Sequence, residues 1–279
     1  MKDRPIGVFD SGLGGLTVVR ELSAILPGED IVYLGDSARV PYGIRSLQTV
    51  RQYAAEAARF LLRFEPKMLV VACNTASAAA IDLLEQLCPV EVVDVIRPSA
   101  AAALAATQGV IGVIGTEATI ASGAYQRALQ AADPHRRVEA AACPLLVPIV
   151  EEGRSEDDPI VLHVLSDYLG RLQRIRPGAL ILGCTHYPLL ARAIAKLMGP
   201  SVQLIDSGRS AGREVRRRLL ASGLANPRGG GGGLACYTTD NAERFARLSE
   251  RFGGRRVDQV TLIGTDDLTA PAARHEARL

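Results

Sequence analysis

The 279-residue sequence contains no CxxC pair and no Cys/His set at zinc-finger spacing. These absences argue against dithiol redox chemistry and against a structural zinc site. It also lacks GxGxxG, since Gly12-Leu13-Gly14-Gly15-Leu16-Thr17 breaks that pattern, and no GK[ST] follows the glycines. Neither a dinucleotide fingerprint nor a Walker loop is therefore expected. No apolar run approaches the roughly 20 residues of a membrane span. The opening "MKDRPIGVFD" reaches charge before an apolar segment can form, so no targeting segment is expected. These readings point to a cytoplasmic chain. Its five cysteines (Cys73, Cys88, Cys143, Cys184 and Cys236) are then expected to be free thiols. The net charge of +2 excludes a dominant nucleic-acid surface. The locally basic "REVRRR" at 213–218 reads as a solvated helix face.

What is present is the pattern of a globular α/β chain. Hydrophobic residues make up 48% of the sequence and charged residues 22%. A chain of this length supports a large core and two domains. Short apolar runs predict strands at 6–9, 30–34, 68–72, 90–95, 110–114, 138–142, 179–182, 202–205, 234–237 and 259–263. Helical patterns separate most of them. The clearest lies at 46–64, where Leu47, Val50, Ala54, Ala57, Leu61 and Phe64 form one stripe. Unbroken apolar strands alternating with helices imply mostly parallel sheets covered on both faces. The glycine tract 229–233 reads as a flexible connector without chemistry. The end of the chain, from 266, reads as a poorly ordered tail.

Two stretches carry the chemical signal. "LVVACNTASAAA" (69–80) and "LILGCTHYPLL" (180–190) each place a cysteine where an apolar run stops, followed by small polar residues and a helical pattern. Taken alone, each reads as a buried cysteine with a capping threonine. Their duplication favours chemistry. A cysteine near a helix start sits in a field that lowers its pKa. Asn74, Thr75 and Thr185 supply donors for a carboxylate. His186 can tune Cys184 or relay a proton to it. "VFDSGLGG" (8–15) adds Asp10 and Ser11 in a tight turn, and "DSARVPYG" (36–43) adds Tyr42 and Gly43. "VFDSGLGG" also resembles "LIDSGRSAG" (204–212), suggesting two related halves. Ligands in open α/β sheets bind beyond the carboxyl ends of the strands, so a cleft between two such halves could hold the cysteines face to face. Two thiols on opposite faces of one ligand suit removal of a proton from carbon and its return from the far side.

The ordered set "FDSGLGG", "GD…PYG", "ACNTAS" and "GCTHYPLL", with "IGTEATIASGAY" at 114–125, resembles the cofactor-independent glutamate racemases of the aspartate/glutamate racemase superfamily. The resemblance covers residues 5–265. It implies two similar α/β domains, 1–97 plus 207–265 and 98–206, with the active site in the cleft between them. It implies Cys73 and Cys184 as the catalytic bases, assisted by Asp10 and His186. Ser11, Tyr42, Gly43, Asn74, Thr75 and Thr185 would hold the amino acid together with Asp10 and His186. Thr116, Thr119 and one of Glu151 and Glu152 would be further contacts. It implies no cofactor, no metal, glutamate as substrate, no nucleic-acid or membrane partner, and a role in supplying D-glutamate for peptidoglycan. A homodimer is compatible with it. Racemisation of aspartate or a hydantoin, and a non-catalytic two-lobed amino-acid-binding protein, are the competing readings.

Overall fold

The computed structural model describes residues 1–257 and 259–270. Among the described residues ten strands alternate with helices, as the apolar runs predict. They are β1 (Ile6–Asp10), β2 (Ile31–Gly35), β3 (Met68–Val71), β4 (Glu91–Asp94), β5 (Ile111–Gly115), β6 (Val138–Ala142), β7 (Ala179–Gly183), β8 (Gln203–Asp206), β9 (Leu234–Thr238) and β10 (Val260–Leu262). They form a six-stranded sheet, β10-β9-β2-β1-β3-β4, and a four-stranded sheet, β6-β5-β7-β8. Every strand pairing is parallel. β1, β2, β3, β5 and β7 are buried along their whole length. That burial accounts for their unbroken apolar sequences. One apolar cluster runs from Val8 and Val70 of the first sheet to Leu165 and Leu182 of the second half, so the halves share a core. Among the described residues no helix is long and apolar enough to cross a membrane.

The internal duplication is real but differently phased from the sequence reading. The order β2-β1-β3-β4 recurs as β6-β5-β7-β8. The equivalent of β1 is therefore β5, not β8. "FDSG" ends β1, whereas "IDSG" ends β8, the counterpart of β4. The two DSG stretches are not structural equivalents. Asp206 caps the helix Ser207–Ala221 through the Arg209 N–H at 2.9 Å, whereas Asp10 accepts the Gly12 N–H inside its own turn and caps no helix. Asp94, at the end of β4, accepts the first N–H groups of the helix Ile96–Ala106, from Ile96 at 2.7 Å and Arg97 at 2.8 Å, from one position further out, since Val95 is that helix's N-cap. The cysteine stretches are true equivalents, since Cys73 follows β3 and Cys184 follows β7.

Two other expectations change. The glycine tract is docked rather than free. Gly232 N–H donates to the Pro27 carbonyl at 2.9 Å and Gly233 N–H to Asp30 Oδ1 at 2.8 Å. The expected tail begins with a packed 3-10 turn, Thr265–Leu268, in which Leu268 is fully buried. Arg63 donates to the Asp267 and Ala270 carbonyls at 2.5 and 2.6 Å, which ties that turn to the helix side of the first sheet. The rest of the expected tail, 271–279, lies outside the described residues.

Candidate active site

A cavity of about 330 Å³ lies at the carboxyl ends of the strands. Strand ends of both sheets contribute to it: Ser11 after β1, Cys73–Thr75 after β3, Thr116 after β5, and Cys184–His186 after β7. The loop Val40–Ile44, carrying Tyr42 and Gly43, forms another wall, and Pro144, Val147 and Pro148 an apolar one. Nine of the ten residues singled out as site candidates line this space. Asp10 does not; it is 1% exposed behind the wall, accepting the Gly12 N–H at 3.0 Å.

The Cys73 arm carries a hydroxyl, a backbone N–H and a buried carboxylate but no cationic group. Cys73 is the N-cap of the helix Asn74–Leu87, its sulfur accepting the Ala76 N–H at 3.5 Å. Its thiol reaches Ser11 Oγ at 3.7 Å. The helix start was expected to lower the thiol pKa, but the opposite holds. Burial, and then the nearby Asp10 carboxylate, push it up to about 12. Desolvation removes more from the thiolate than one turn of peptide dipoles restores. Burial likewise raises the Asp10 carboxyl, against the lowering effects of His186 and of local backbone N–H groups.

The Cys184 arm is a charged chain. His186 Nδ1 lies 3.8 Å from Cys184 Sγ, and Nε2 lies 3.1 Å from Glu151 Oε1. The other Glu151 oxygen lies 3.4 Å from Arg244 Nη2. Burial would depress the His186 pKa. The bonds to Cys184 and Glu151 outweigh it and raise the value to about 10. Glu151 is held below the usual carboxylate range by its bond to His186, against its own burial, with Arg244 adding to the lowering. Of the two adjacent glutamates it is thus Glu151 that joins the site, while Glu152 is exposed. "CTH" was expected beside a helix start. It instead leads into a 3-10 turn, Tyr187–Leu190, with the α-helix beginning at Ala191. Pro188 sits in that turn. Among the described residues no cluster of three or more His, Cys, Asp or Glu side chains is spaced to hold a metal.

Hydroxyl and amide groups complete the walls. Thr75, Thr116 and Thr119 form a mutual ring with oxygen separations of 3.0, 3.1 and 2.9 Å. Asn74 Nδ2 donates to Tyr125 Oη at 2.8 Å and to Ser207 Oγ at 3.3 Å, while its Oδ1 is buried without a protein partner. The second DSG stretch thus does reach the site wall, because Ser207, at the start of the helix after β8, accepts from Asn74. Tyr42 lines the cavity while its hydroxyl is engaged elsewhere. It donates to the buried Asp36 carboxylate, which also accepts from Arg39 Nε at 2.7 Å and Thr239 Oγ1 at 3.0 Å. Tyr125, Ser207, Asp36 and Arg244 escaped sequence reading. Three of them lie in stretches that were noticed, Asp36 in "GD…PYG", Tyr125 at the end of "IGTEATIASGAY" and Ser207 in the second DSG; only Arg244 had no signal.

Two glycines set the approach of the halves. A Cβ on Gly14 would lie 2.2 Å from Thr185 Oγ1 and 2.6 Å from His186 Cε1. A Cβ on Gly43 would lie 2.8 Å from Thr116 Cβ. At both places the first half touches the second so closely that no side chain fits. Thr17 Oγ1 marks the same seam, 2.9 Å from both the Gly14 and Thr185 carbonyl oxygens.

Comparison with known proteins agrees with this geometry. A glutamate racemase of Thermus thermophilus is 48% identical over 271 residues, covering 96% of this chain and all of its own length. The crystal structure of a Bacillus anthracis glutamate racemase isoform superimposes with a TM-score of 0.90 at 40% identity, covering 94% of this chain and 98% of that one. The Francisella tularensis glutamate racemase, solved with D-glutamate, gives 0.88 at 38% identity, covering 95% of this chain and 99% of that one. Residues 6–215 match the Asp/Glu/Hydantoin racemase family. The chain belongs to the Asp/Glu/Hydantoin racemase family, with glutamate racemases as its full-length relatives.

Proposed function

We propose that the chain interconverts L- and D-glutamate, with Cys73 and Cys184 removing and returning the Cα proton and no cofactor taking part. The observation that carries this reading is topological. The two thiols end equivalent strands, β3 and β7, of two sheets with the same order, and both line one cavity. Full-length likeness to glutamate racemases supports glutamate as the substrate.

In one direction a thiolate takes the Cα proton, leaving a carbanion whose charge spreads into the α-carboxylate. The opposite thiol then gives its proton to the other face, which inverts the centre. The first sulfur ends as a thiol and the second as a thiolate, so the pair resets by exchange with solvent or by a turnover in reverse. The Cα–H bond is only weakly acidic, so fixed donors in a dry site must hold the developing charge. Ser11, Thr75 and Thr185, with the Gly43 N–H, are such donors, while Asn74 Oδ1, buried without a protein partner, is an acceptor for the α-ammonium group. His186, carrying a proton across the neutral range, donates toward the Cys184 sulfur. Burial, and then the Asp10 carboxylate, favour the protonated form of Cys73. The α-ammonium group of the amino acid offsets the second of these and so favours the thiolate.

The same reading assigns the two domains to 1–97 plus 207–265 and to 98–206. It puts the protein in the cytoplasm, where it supplies D-glutamate for peptidoglycan. The test is circular dichroism of L-glutamate, L-aspartate and a hydantoin, each incubated with dialysed, chelator-treated protein. Loss of optical activity with glutamate alone is expected. Faster loss with another substrate, or loss only after adding pyridoxal phosphate, would overturn the reading.

A further inference from the structure

The Cys184 arm is not held by its own half alone. The helix Ala242–Gly253 follows β9 in the six-stranded sheet, yet it reaches the second half's acid–base pair. Phe252 is fully buried and stands nearly perpendicular to the His186 ring, at 81° with centroids 5.3 Å apart. Arg244 takes the Glu151 oxygen that His186 does not use. Seven residues from Phe252, on the same face of the helix, Phe245 packs on Tyr33 with centroids 6.0 Å apart. The Tyr33 hydroxyl donates to the Gly12 carbonyl at 2.6 Å, inside the turn that carries Asp10.

We infer that the helix Ala242–Gly253 braces both proton-handling arms, with Phe252 and Arg244 as positioning residues for the His186–Glu151 pair. The inference rests on the reading of His186 as the partner of Cys184. An imidazole contributes to proton transfer only while both its nitrogens are aimed, Nδ1 at Cys184 and Nε2 at Glu151. Rotation of the ring breaks both bonds at once, and the Phe252 ring occupies the space such rotation needs. Glu151 in turn has several rotamers open to it, and Arg244 selects the one that reaches His186. The brace comes from the other half, so the pair is complete only when the two halves are closed on each other.

The test is steady-state racemisation by Arg244→Met, Arg244→Lys and Arg247→Met, alone and combined with Glu151→Gln. Arg247 is an exposed residue of the same helix and serves as the control. Arg244→Met should lower kcat roughly two- to fivefold, the range a half-exposed ion pair allows. Arg244→Lys should recover most of the loss, and Arg247→Met should match the unmodified protein. In the Glu151→Gln background Arg244→Met should have no further effect. An additive effect, or equal behaviour of Arg244→Met and Arg247→Met, overturns the inference. The His186 ring NMR signals should also move in Arg244→Met and Phe252→Leu but not in Arg247→Met. That readout needs no turnover, so an unmodified protein inactive on glutamate would sink the proposed function while the brace is judged separately.

Discussion

Two strand ends of the same kind hold the same residue in opposite surroundings. After β3, Cys73 faces Ser11, one helix N–H and the carboxylate of Asp10. After β7, Cys184 faces a histidine backed by a glutamate and an arginine. One thiol is pushed up to about 12 by burial and a like-signed neighbour, while the other is offered a cationic donor. Duplication of a fold therefore supplies matched positions and not matched chemistry. The side chains reaching in from other elements decide what each thiol can do. In the proposed reaction the two arms need not be alike, because the α-ammonium group of glutamate would supply the positive charge that the Cys73 arm lacks.

The largest way to break the comparison is to delete either thiol. Cys73→Ala and Cys184→Ala should each reduce racemisation to background, since each loss removes the base in one direction and the acid in the other. Both proteins should stay folded, at a cost on the order of 1 kcal/mol for a small buried truncation. Racemisation assays beside urea midpoints check this, and substantial activity in either variant would return that cysteine to a packing role.

Removing the partners tests the asymmetry itself. His186→Asn and Asp10→Asn should each lower kcat by roughly 10²–10⁴-fold, the contribution of a positioned acid–base group. The losses should differ between the L-to-D and D-to-L directions, in opposite senses for the two variants. kcat and KM must change together, because the equilibrium between enantiomers is fixed at one. The His186 variant also has a signature in stability. A histidine whose pKa rises from 6.5 to about 10 on folding stabilises the protein fully below pH 6.5, and that contribution disappears as pH climbs through 10. The stability difference between the parent protein and His186→Asn should therefore shrink between pH 6.5 and 10, as read from urea midpoints across that window.

The seam between the arms gives a smaller effect. Gly14→Ala forces a methyl group against Thr185 and His186. It should cost roughly 1–3 kcal/mol of stability and about 10²-fold in kcat/KM through displaced groups. Thermal unfolding with kinetics would report both, and unchanged kinetics would mean the seam yields freely. The smallest effect separates neighbours on one helix. Glu151→Gln should lose roughly tenfold in kcat, the scale of one hydrogen bond to a charged group. Glu152→Gln should lose nothing. Equal effects would mean that the carboxylate acts by charge alone.

Much of this arrangement was legible in the sequence, and the reasons for the rest are physical. Apolar runs located the ten strands of the described residues; the reason is plainest for β1, β2, β3, β5 and β7, whose complete burial leaves no polar face to interrupt the run. The paired cysteine motifs were legible because strand, cysteine and donors are contiguous in the chain. Glu151 could not be separated from Glu152, since adjacent helical positions differ only in the face they present, and that face is set by packing. Arg244 and Phe252 read as ordinary positions of an amphipathic helix; their role arises across 93 residues to Glu151 and 66 to His186. The DSG repeat misled because short Asp-Ser-Gly turns occur at strand ends whatever their place in the sheet. The Cys73 pKa was misjudged because a helix start is visible in sequence and the depth of burial is not.

The central claim is that two thiols act on opposite faces of Cα, and isotope content at the first turnovers tests it most directly. With L-glutamate in deuterated water, the D-glutamate formed should carry deuterium at Cα from the outset, while the remaining L-glutamate stays protonated. D-glutamate that retains the original hydrogen, or L-glutamate that gains deuterium as fast as product forms, would mean that one group both removes and returns the proton, and would contradict the account.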